Sequence, residues 1–482
     1  MPDLHDLTAL EQGAAIRSGE ITARDLTVHY LRRAEALGPQ VGAFITLTPE
    51  QALRQADSAD AAARSANQGE SGSRGAGDRA ELSPLHGVVA PIKDLHMAAG
   101  MRCTMGSALV DIVPHADDFA VARQRDAGLV FTGTTNTPEF GLPCYTENAI
   151  VPPARTPWDT DRMAGGSSGG AAAAVSTGLA AIAMGSDGGG SIRIPASCCG
   201  LVGIKPSRGR VSLGPFGEAV GDLPVIGPLA RTVGDAAAFL DVLAGSSPGD
   251  MFPIPSPGEP FLSAVAAEPG RLRIGRYRTP VIVDTDVDPE VVAVYEHTST
   301  VLESLGHDVV DIDRPFTPDL VGSFEAVWST LAGLAPVPPD LEGDLMPLTR
   351  WLRQRAAEYD AVQLAGAVSA MRMVARQTVT SSRDVDVVLT PTLAQLPAPI
   401  GGIRNDGDPA ADFEAQKRFT PFTSPYNISG QPAVSLPLGW SHGGLPIGMQ
   451  LVGKPWGEAT IISLAGQLER ATPWHERRHD LW

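Results

Sequence analysis

Three short segments of the 482-residue chain combine glycine crowding with hydroxyls and a single lysine. They are Ala90-Pro91-Ile92-Lys93-Asp94, Gly165-Gly166-Ser167-Ser168-Gly169-Gly170, and Gly185-Ser186-Asp187-Gly188-Gly189-Gly190-Ser191-Ile192-Arg193-Ile194-Pro195. A serine that follows three glycines suits acyl transfer, because successive unhindered backbone N–H groups can converge on one developing negative charge. Gly188, Gly189, Gly190 and Ser191 supply such donors; the bland alternative is that Ser191 caps a helix. Glycine runs also cradle phosphate, but a phosphate loop ends in Gly-Lys-Ser/Thr and neither run has that lysine. A dinucleotide loop needs a preceding strand and an acidic partner about 20 residues on, which is equally unconvincing here.

The nucleophile elbow G-x-S-x-G is not met around Ser191, since Arg193 stands two residues after it. The ten histidines are scattered, and His475 and His479 fall in a charged tail expected to be exposed. A Ser-His-Asp triad is therefore unsupported, whereas a lysine base follows the same logic. Free lysine titrates near about 10.4, and burial, by disfavouring the ammonium, can leave a neutral amine able to take a proton. For Lys93 the bland alternative is a salt bridge to Asp94. No His/Cys/Asp cluster has ligand spacing, so neither a metal nor another cofactor is expected. Cys103, Cys144, Cys198 and Cys199 lack zinc-type spacing, and they read as reduced, packed thiols.

These segments need elements to hold them. Residues 7–63 carry helical periodicity, and Ala56–Ala80 drifts into Ala/Ser/Gly-rich low complexity that reads as a loop over about 66–84. From about 85 to 245, short apolar runs alternate with helical patterns: a helix over Phe119–Ala127, a strand over Leu129–Gly133, an Ala-rich helix from Ser168 and a strand over Ala181–Gly185. Beyond a Pro/Ser/Gly-rich connection at Ser246–Pro260, strands are expected at Leu272–Tyr277 and Asp308–Asp313, with a helix over Pro289–Leu305 between them. A helical cap is expected over about 315–383. Strands at Val385–Thr390, Ala433–Trp440 and Ile447–Lys454 and a closing helix over Thr460–Arg470 fill the C-terminal part, about 385–482. The alternation predicts an α/β protein, a largely parallel or mixed sheet covered by helices, in which the C-terminal strands complete one intertwined domain over 1–482.

Composition narrows the class. Apolar residues make up 43% and charged residues 19%, an ordinary globular balance rather than that of a disordered chain. The net charge of −18 is spread along the chain without a basic run, which argues against nucleic acid as a partner. MPDLHDLTALEQG has neither the charged nor the apolar region of a secretory signal, and no apolar run reaches membrane-spanning length. A cytoplasmic protein with no membrane partner is expected.

Taken together, Gly-Gly-Ser-Ser-Gly-Gly (165–170), Gly-Gly-Ser-Ile-Arg-Ile-Pro-Ala (189–196) and Cys199-Gly200-Leu201-Val202-Gly203-Ile204-Lys205-Pro206 resemble the amidase-signature family. The 24-residue step from Ser167 to Ser191 and the upstream Pro-Ile-Lys-Asp (91–94) agree with that pattern. The likeness runs nearly end to end, through Thr134-Thr135-Asn136, Gly227-Pro228-Leu229, Leu389-Thr390-Pro391-Thr392 and Asn427-Ile428-Ser429-Gly430-Gln431-Pro432.

The resemblance implies a single large α/β domain with a central mixed, twisted sheet covered by helices on both faces. It implies an amidase cleaving a C–N acyl bond through an acyl-enzyme on Ser191, with Ser167, in a cis peptide after Gly166, relaying protons to the base Lys93. Matching also implies an oxyanion hole from Gly188 to Ser191, buttressing by Asp187 and Arg193, and an acyl pocket lined by Gly141, Leu142, Cys144 and Tyr145. Two positions depart from the family pattern. Residue 188 is usually bulkier, and a valine more often immediately precedes the lysine. The expected substrate is a small neutral amide, anilide or carbamate, with esters as a side activity; the overall texture is similar to members acting on aryl or aliphatic amides and nylon oligomers. A homodimer is the expected assembly. The alternatives are a glutaminase subunit of a tRNA-dependent amidotransferase and a non-catalytic ligand-binding relative.

Overall fold

A computed structural model of the chain describes residues 3–68, 82–217, 220–251 and 254–482. The helix Pro49–Gln68 takes up the first part of the low-complexity stretch Ala56–Ala80, where a loop is expected to begin, and residues 69–80 lie outside the described residues. Eleven strands are described: β1 (Phe44–Leu47), β2 (Ile92–Lys93), β3 (Gly133–Thr135), β4 (Ile182–Asp187), β5 (Val202–Lys205), β6 (Val225–Ala230), β7 (Arg273–Arg276), β8 (Asp308–Asp311), β9 (Val387–Pro391), β10 (Ala433–Trp440) and β11 (Pro446–Gly453). Eight of them form one sheet in the order β4-β6-β5-β10-β11-β9-β7-β8.

The sheet is mixed: β9, β7 and β8 run parallel, and every other neighbouring pair is antiparallel. Its connectivity explains the sequence pattern. β5, which follows the Ser191 segment, pairs with β10 from the C-terminal part, so the centre of the sheet joins distant stretches of chain. The near-continuous apolar runs of β4, β5, β6, β9 and β11 are buried on both faces, as expected for strands covered by helices.

Boundaries shift where a glycine or a pairing partner intervenes. The strand expected over Leu129–Gly133 is realised as a bridge between Val130 and Val89, with the strand β3 itself beginning at Gly133. The helical N-terminal region is broken by β1, which pairs antiparallel with β3. That small sheet, ordered β1-β3-β2, is what holds Lys93, because β2 lies parallel to β3 with Lys93 opposite Thr135.

Residues 315–383 contain the helices Gly322–Gly333, Pro347–Ala356 and Ala361–Ser381. All four cysteines are buried free thiols. His479 departs from the exposed tail expected for it: its ring packs against Trp158 and Trp482 and bonds the Ser176 carbonyl at 2.8 Å, while His475 is exposed.

Candidate active site

The three chemistry-bearing segments meet at one place. Lys93 ends β2, Ser167 precedes the helix Gly169–Ser176, and Ser191 follows β4 on the glycine loop that leads into the helix Arg193–Cys199. The helix after Ser168 is alanine-rich and wholly buried. Its small side chains allow the backbone to approach closely: a Cβ on Gly170 would lie 2.3 Å from the Asn136 nitrogen.

Lys93 is fully buried. Its Nζ donates to Ser167 Oγ at 2.9 Å, Ser168 Oγ at 2.8 Å, Ser186 Oγ at 3.1 Å and the Ser186 carbonyl at 3.3 Å. The salt bridge to Asp94 is not formed; Asp94 instead accepts bonds from Thr104 and from the Gly106 N–H. Burial pulls the Lys93 ammonium down to about 7, with the Asp187 charge opposing it. An amine at that value is neutral in a large share of molecules near pH 7 and can accept a proton.

The Gly166–Ser167 peptide is cis. Gly141 lies against Ser167: a Cβ there would sit 3.3 Å from Ser167 Oγ and 2.6 Å from a Leu95 methyl, and its φ of +69° also favours glycine. The two serine segments are tied by their backbones, the Ser168 N–H donating to the Ser191 carbonyl at 3.2 Å. Ser191 is 7% exposed, and among the described residues its hydroxyl makes no hydrogen bond to Ser167. Within the same set, the backbone N–H groups of Gly188, Gly189, Gly190 and Ser191 donate to no other residue. Four successive free donors beside a serine hydroxyl are what an oxyanion hole requires.

A fully buried network fixes the loop. Asp187 Oδ1 accepts from Arg193 Nη2 at 2.9 Å and from Asn427 Nδ2 at 2.8 Å, and Oδ2 accepts from Arg193 Nε at 3.0 Å and the Ile192 N–H at 3.2 Å. Arg193 continues to the Thr423 carbonyl, Gln450 Oε1 and Asn427 Oδ1. Burial pushes the Asp187 carboxyl up, but the charge and hydrogen bonds of Arg193, helped by Lys205 and Asn427, hold it at about 2. The Asp187 carboxylate is thus ionised and the donors and acceptors around it are matched, the condition under which a buried charge is tolerated.

Beside Ser191 opens a narrow cleft with about 60 Å³ of water-accessible space. Leu142 and Cys144 line it. Tyr145 does not; its hydroxyl donates to Asp412 at 2.7 Å beneath the cleft. Gly141 abuts Ser167 rather than the cleft wall. The wall also contains Phe324 and Trp328 from the helix Gly322–Gly333, Phe413, and Ser424, none of which lies in a glycine-rich segment. Of these, only Ser424 lies close to a motif, the Asn427–Pro432 run that follows it. Lys417, at the rim, is neutralised by Glu325 at 2.6 Å and Glu414 at 2.5 Å.

The sequence pattern of the Amidase family matches residues 25–462. A 6-aminohexanoate-cyclic-dimer hydrolase of Paenarthrobacter ureafaciens is 34% identical, the alignment covering 98% of this chain and 96% of that protein. A glutamyl-tRNA(Gln) amidotransferase subunit of Roseiflexus sp. is 35% identical over 99% of each chain. A solved structure of 6-aminohexanoate cyclic dimer hydrolase superposes with a TM-score of 0.89 at 31% identity, covering both chains completely. Fold and relatives together define a hydrolase acting on carbon–nitrogen bonds. The chain belongs to the amidase family.

Proposed function

We propose that this amidase cleaves neutral amides through an acyl-enzyme on Ser191. Neutral Lys93, acting through Ser167, takes the Ser191 proton as the hydroxyl attacks the carbonyl carbon. The carbonyl oxygen, now negative, is met by the N–H groups of Gly188 to Ser191. The relay then returns the proton to the departing amine nitrogen, and water repeats the attack to release the acid. The observation that carries this reading is the fully buried Lys93, held near 7 and bonded to Ser167, next to a serine flanked by four free backbone donors. Asp187 and Arg193 hold the loop, and Leu142 and Cys144 contribute to the substrate wall.

An apolar cleft with its rim lysine already paired supports neutral substrates such as anilides, aliphatic amides and carbamates. A glutaminase role within an amidotransferase is favoured by the Roseiflexus relative, and glutaminase activity that rises on adding partner subunits would establish it. The test of the main reading is Ser191→Ala assayed on an anilide, together with labelling by a fluorophosphonate. Loss of at least ~10³-fold in kcat/KM and of labelling, with the melting temperature unchanged, is expected. Turnover within about tenfold of the native enzyme would overturn the assignment.

A further inference from the structure

The alanine-rich helix that follows the relay serine begins without its ordinary cap. Ser168 stands at the N-cap position of the helix Gly169–Ser176, where a serine hydroxyl ordinarily accepts a backbone N–H, yet it makes no such bond. Its Oγ is engaged elsewhere. It accepts from Lys93 Nζ at 2.8 Å and from the Ser186 N–H at 3.3 Å, and it donates to the Ser186 carbonyl at 3.2 Å. The first N–H of the helix is satisfied from outside instead: Gly169 donates to Thr146 Oγ1 at 3.1 Å, and the same hydroxyl donates to the Gly165 carbonyl at 2.9 Å.

Gly165 and Gly169 stand four residues apart, the spacing of an α-helical bond, and the Thr146 hydroxyl is inserted where that bond would close. Ser167 sits at the middle of the turn so bridged. Among the described residues, neither the Gly165 carbonyl nor the Gly169 N–H has another hydrogen-bond partner. The glycines around Ser167 make the room. A Cβ on Gly169 would lie 2.4 Å from Thr146 Oγ1, and one on Gly166 would lie 2.7 Å from the Tyr145 carbonyl oxygen. Thr146 is fully buried and its own segment is anchored. Its carbonyl accepts from the Ala154 N–H at 2.9 Å, the Cys144 N–H donates to Gln416 Oε1 at 2.9 Å, and the Tyr145 hydroxyl is held by Asp412. Two bonds from a fixed side chain restrict where Ser167 Oγ can stand relative to Lys93 Nζ, 2.9 Å away.

We propose that Thr146 is a positioning residue of the proton relay. Its hydroxyl sets the turn that carries Ser167, and by satisfying the start of the helix it leaves the Ser168 hydroxyl to Lys93. It bonds none of Lys93, Ser167 and Ser191, so its effect on the chemistry passes through the backbone of that turn. This rests on the acyl-transfer reading above.

The test compares Thr146→Val, which keeps the shape and removes the hydroxyl, with Thr146→Ser, which keeps the hydroxyl. The substrates are an anilide and the p-nitrophenyl ester of the same acid, assayed at a temperature where circular dichroism shows each variant folded. Thr146→Val should lower anilide kcat at least about tenfold with KM within about threefold, since a small misplacement of a reacting group costs up to about 10²-fold. The ester expels a group that departs without a proton, so it should lose less, and the anilide-to-ester ratio should fall at least about threefold. Thr146→Ser should stay within about threefold of the native enzyme on both substrates. In a Ser167→Ala background, Thr146→Val should change ester kcat by less than about twofold, because the group it positions is gone, whereas a general loosening of the fold would lower the rate again. If Thr146→Val does not fold, Thr146→Cys, whose thiol is a weak hydrogen-bonding group, takes its place. The inference is overturned by a folded variant with anilide kcat within about threefold of native, by a loss confined to KM, by an unchanged anilide-to-ester ratio, or by an equal loss in the Ser167→Ala background. If instead Ser191→Ala or Lys93→Ala keeps anilide turnover within about tenfold of native, it is the acyl-transfer reading that fails, whatever the Thr146 variants do.

Discussion

Lowering the pH through neutrality separates Lys93 acting as a base from Lys93 acting as a buried support. Burial brings its ammonium from 10.5 to about 7. A displacement of that size corresponds to roughly 5 kcal/mol between the two protonation states. In the proposed mechanism the active form is the neutral amine, so activity should rise with pH. kcat/KM for an anilide should fall about tenfold per unit below about pH 7 and level off from about pH 8 upward. Asp187, held at about 2, stays ionised throughout this window and adds no inflection. Glu469 is also brought to about 7 by burial, but it caps the helix Val233–Leu243, away from the cleft, and Glu469→Gln should leave the profile unchanged. Stability follows the same group. The unfolded chain keeps the ordinary lysine value, so between about 7 and 10.5 it binds more protons than the folded one, and Lys93's contribution makes the protein more stable as pH rises across that interval. The assay is kcat/KM from pH 5 to 9 for the native enzyme, with Lys93→Ala expected to lose ~10²–10⁴-fold at the plateau. A flat native profile, or a midpoint above 9, would refute the reasoning.

Two substitutions test the loop and its wall. Asp187→Ala should destabilise the fold by about 3–5 kcal/mol in denaturant titration, because Arg193 would remain buried without its counter-charge; a cost below about 1 kcal/mol would mean that the Asn427 and Gln450 contacts suffice for Arg193. Gly188→Val should lower kcat/KM at least about tenfold, since even a Cβ there would come within 3.1 Å of the Trp328 ring, and adding Trp328→Ala should recover most of the loss. Independent, additive effects of the two changes would show that residue 188 and Trp328 do not share space.

What the sequence reveals here depends on how local the constraint is. The glycine and serine runs are legible because a close backbone approach and a loop of free N–H donors demand glycine at consecutive positions. β10 is legible because its eight residues are bounded by a turn on the C-terminal side and a proline before its first residue. Register and neighbours are another matter. Alternation alone does not say that β5 pairs with β10, or that a four-residue strand at Phe44–Leu47 interrupts a helical region to carry β3 and so Lys93. Tyr145 is placed in the acyl pocket by the resemblance, yet adjacent residues on an irregular loop point apart, and its hydroxyl is drawn to Asp412.

The departure at residue 188 shows why the remainder of the site could not be read from motifs. A glycine there looks, in sequence, like a loosened oxyanion loop or room for a larger substrate. In the fold the space is occupied from the other side by Trp328, contributed by a helix some 140 residues downstream whose own sequence carries no catalytic signal. A side chain at 188 would meet the Trp328 ring, so the glycine takes its meaning from a residue that only folding brings beside it. The same holds for electrostatics: Lys93 is lowered by burial and partly restored by Asp187, while Asp187 is kept ionised by Arg193. Each charge takes its state from its burial and from a residue that the chain brings to it only on folding, which is why residue types alone announce a chemistry but not the protonation states on which it would run.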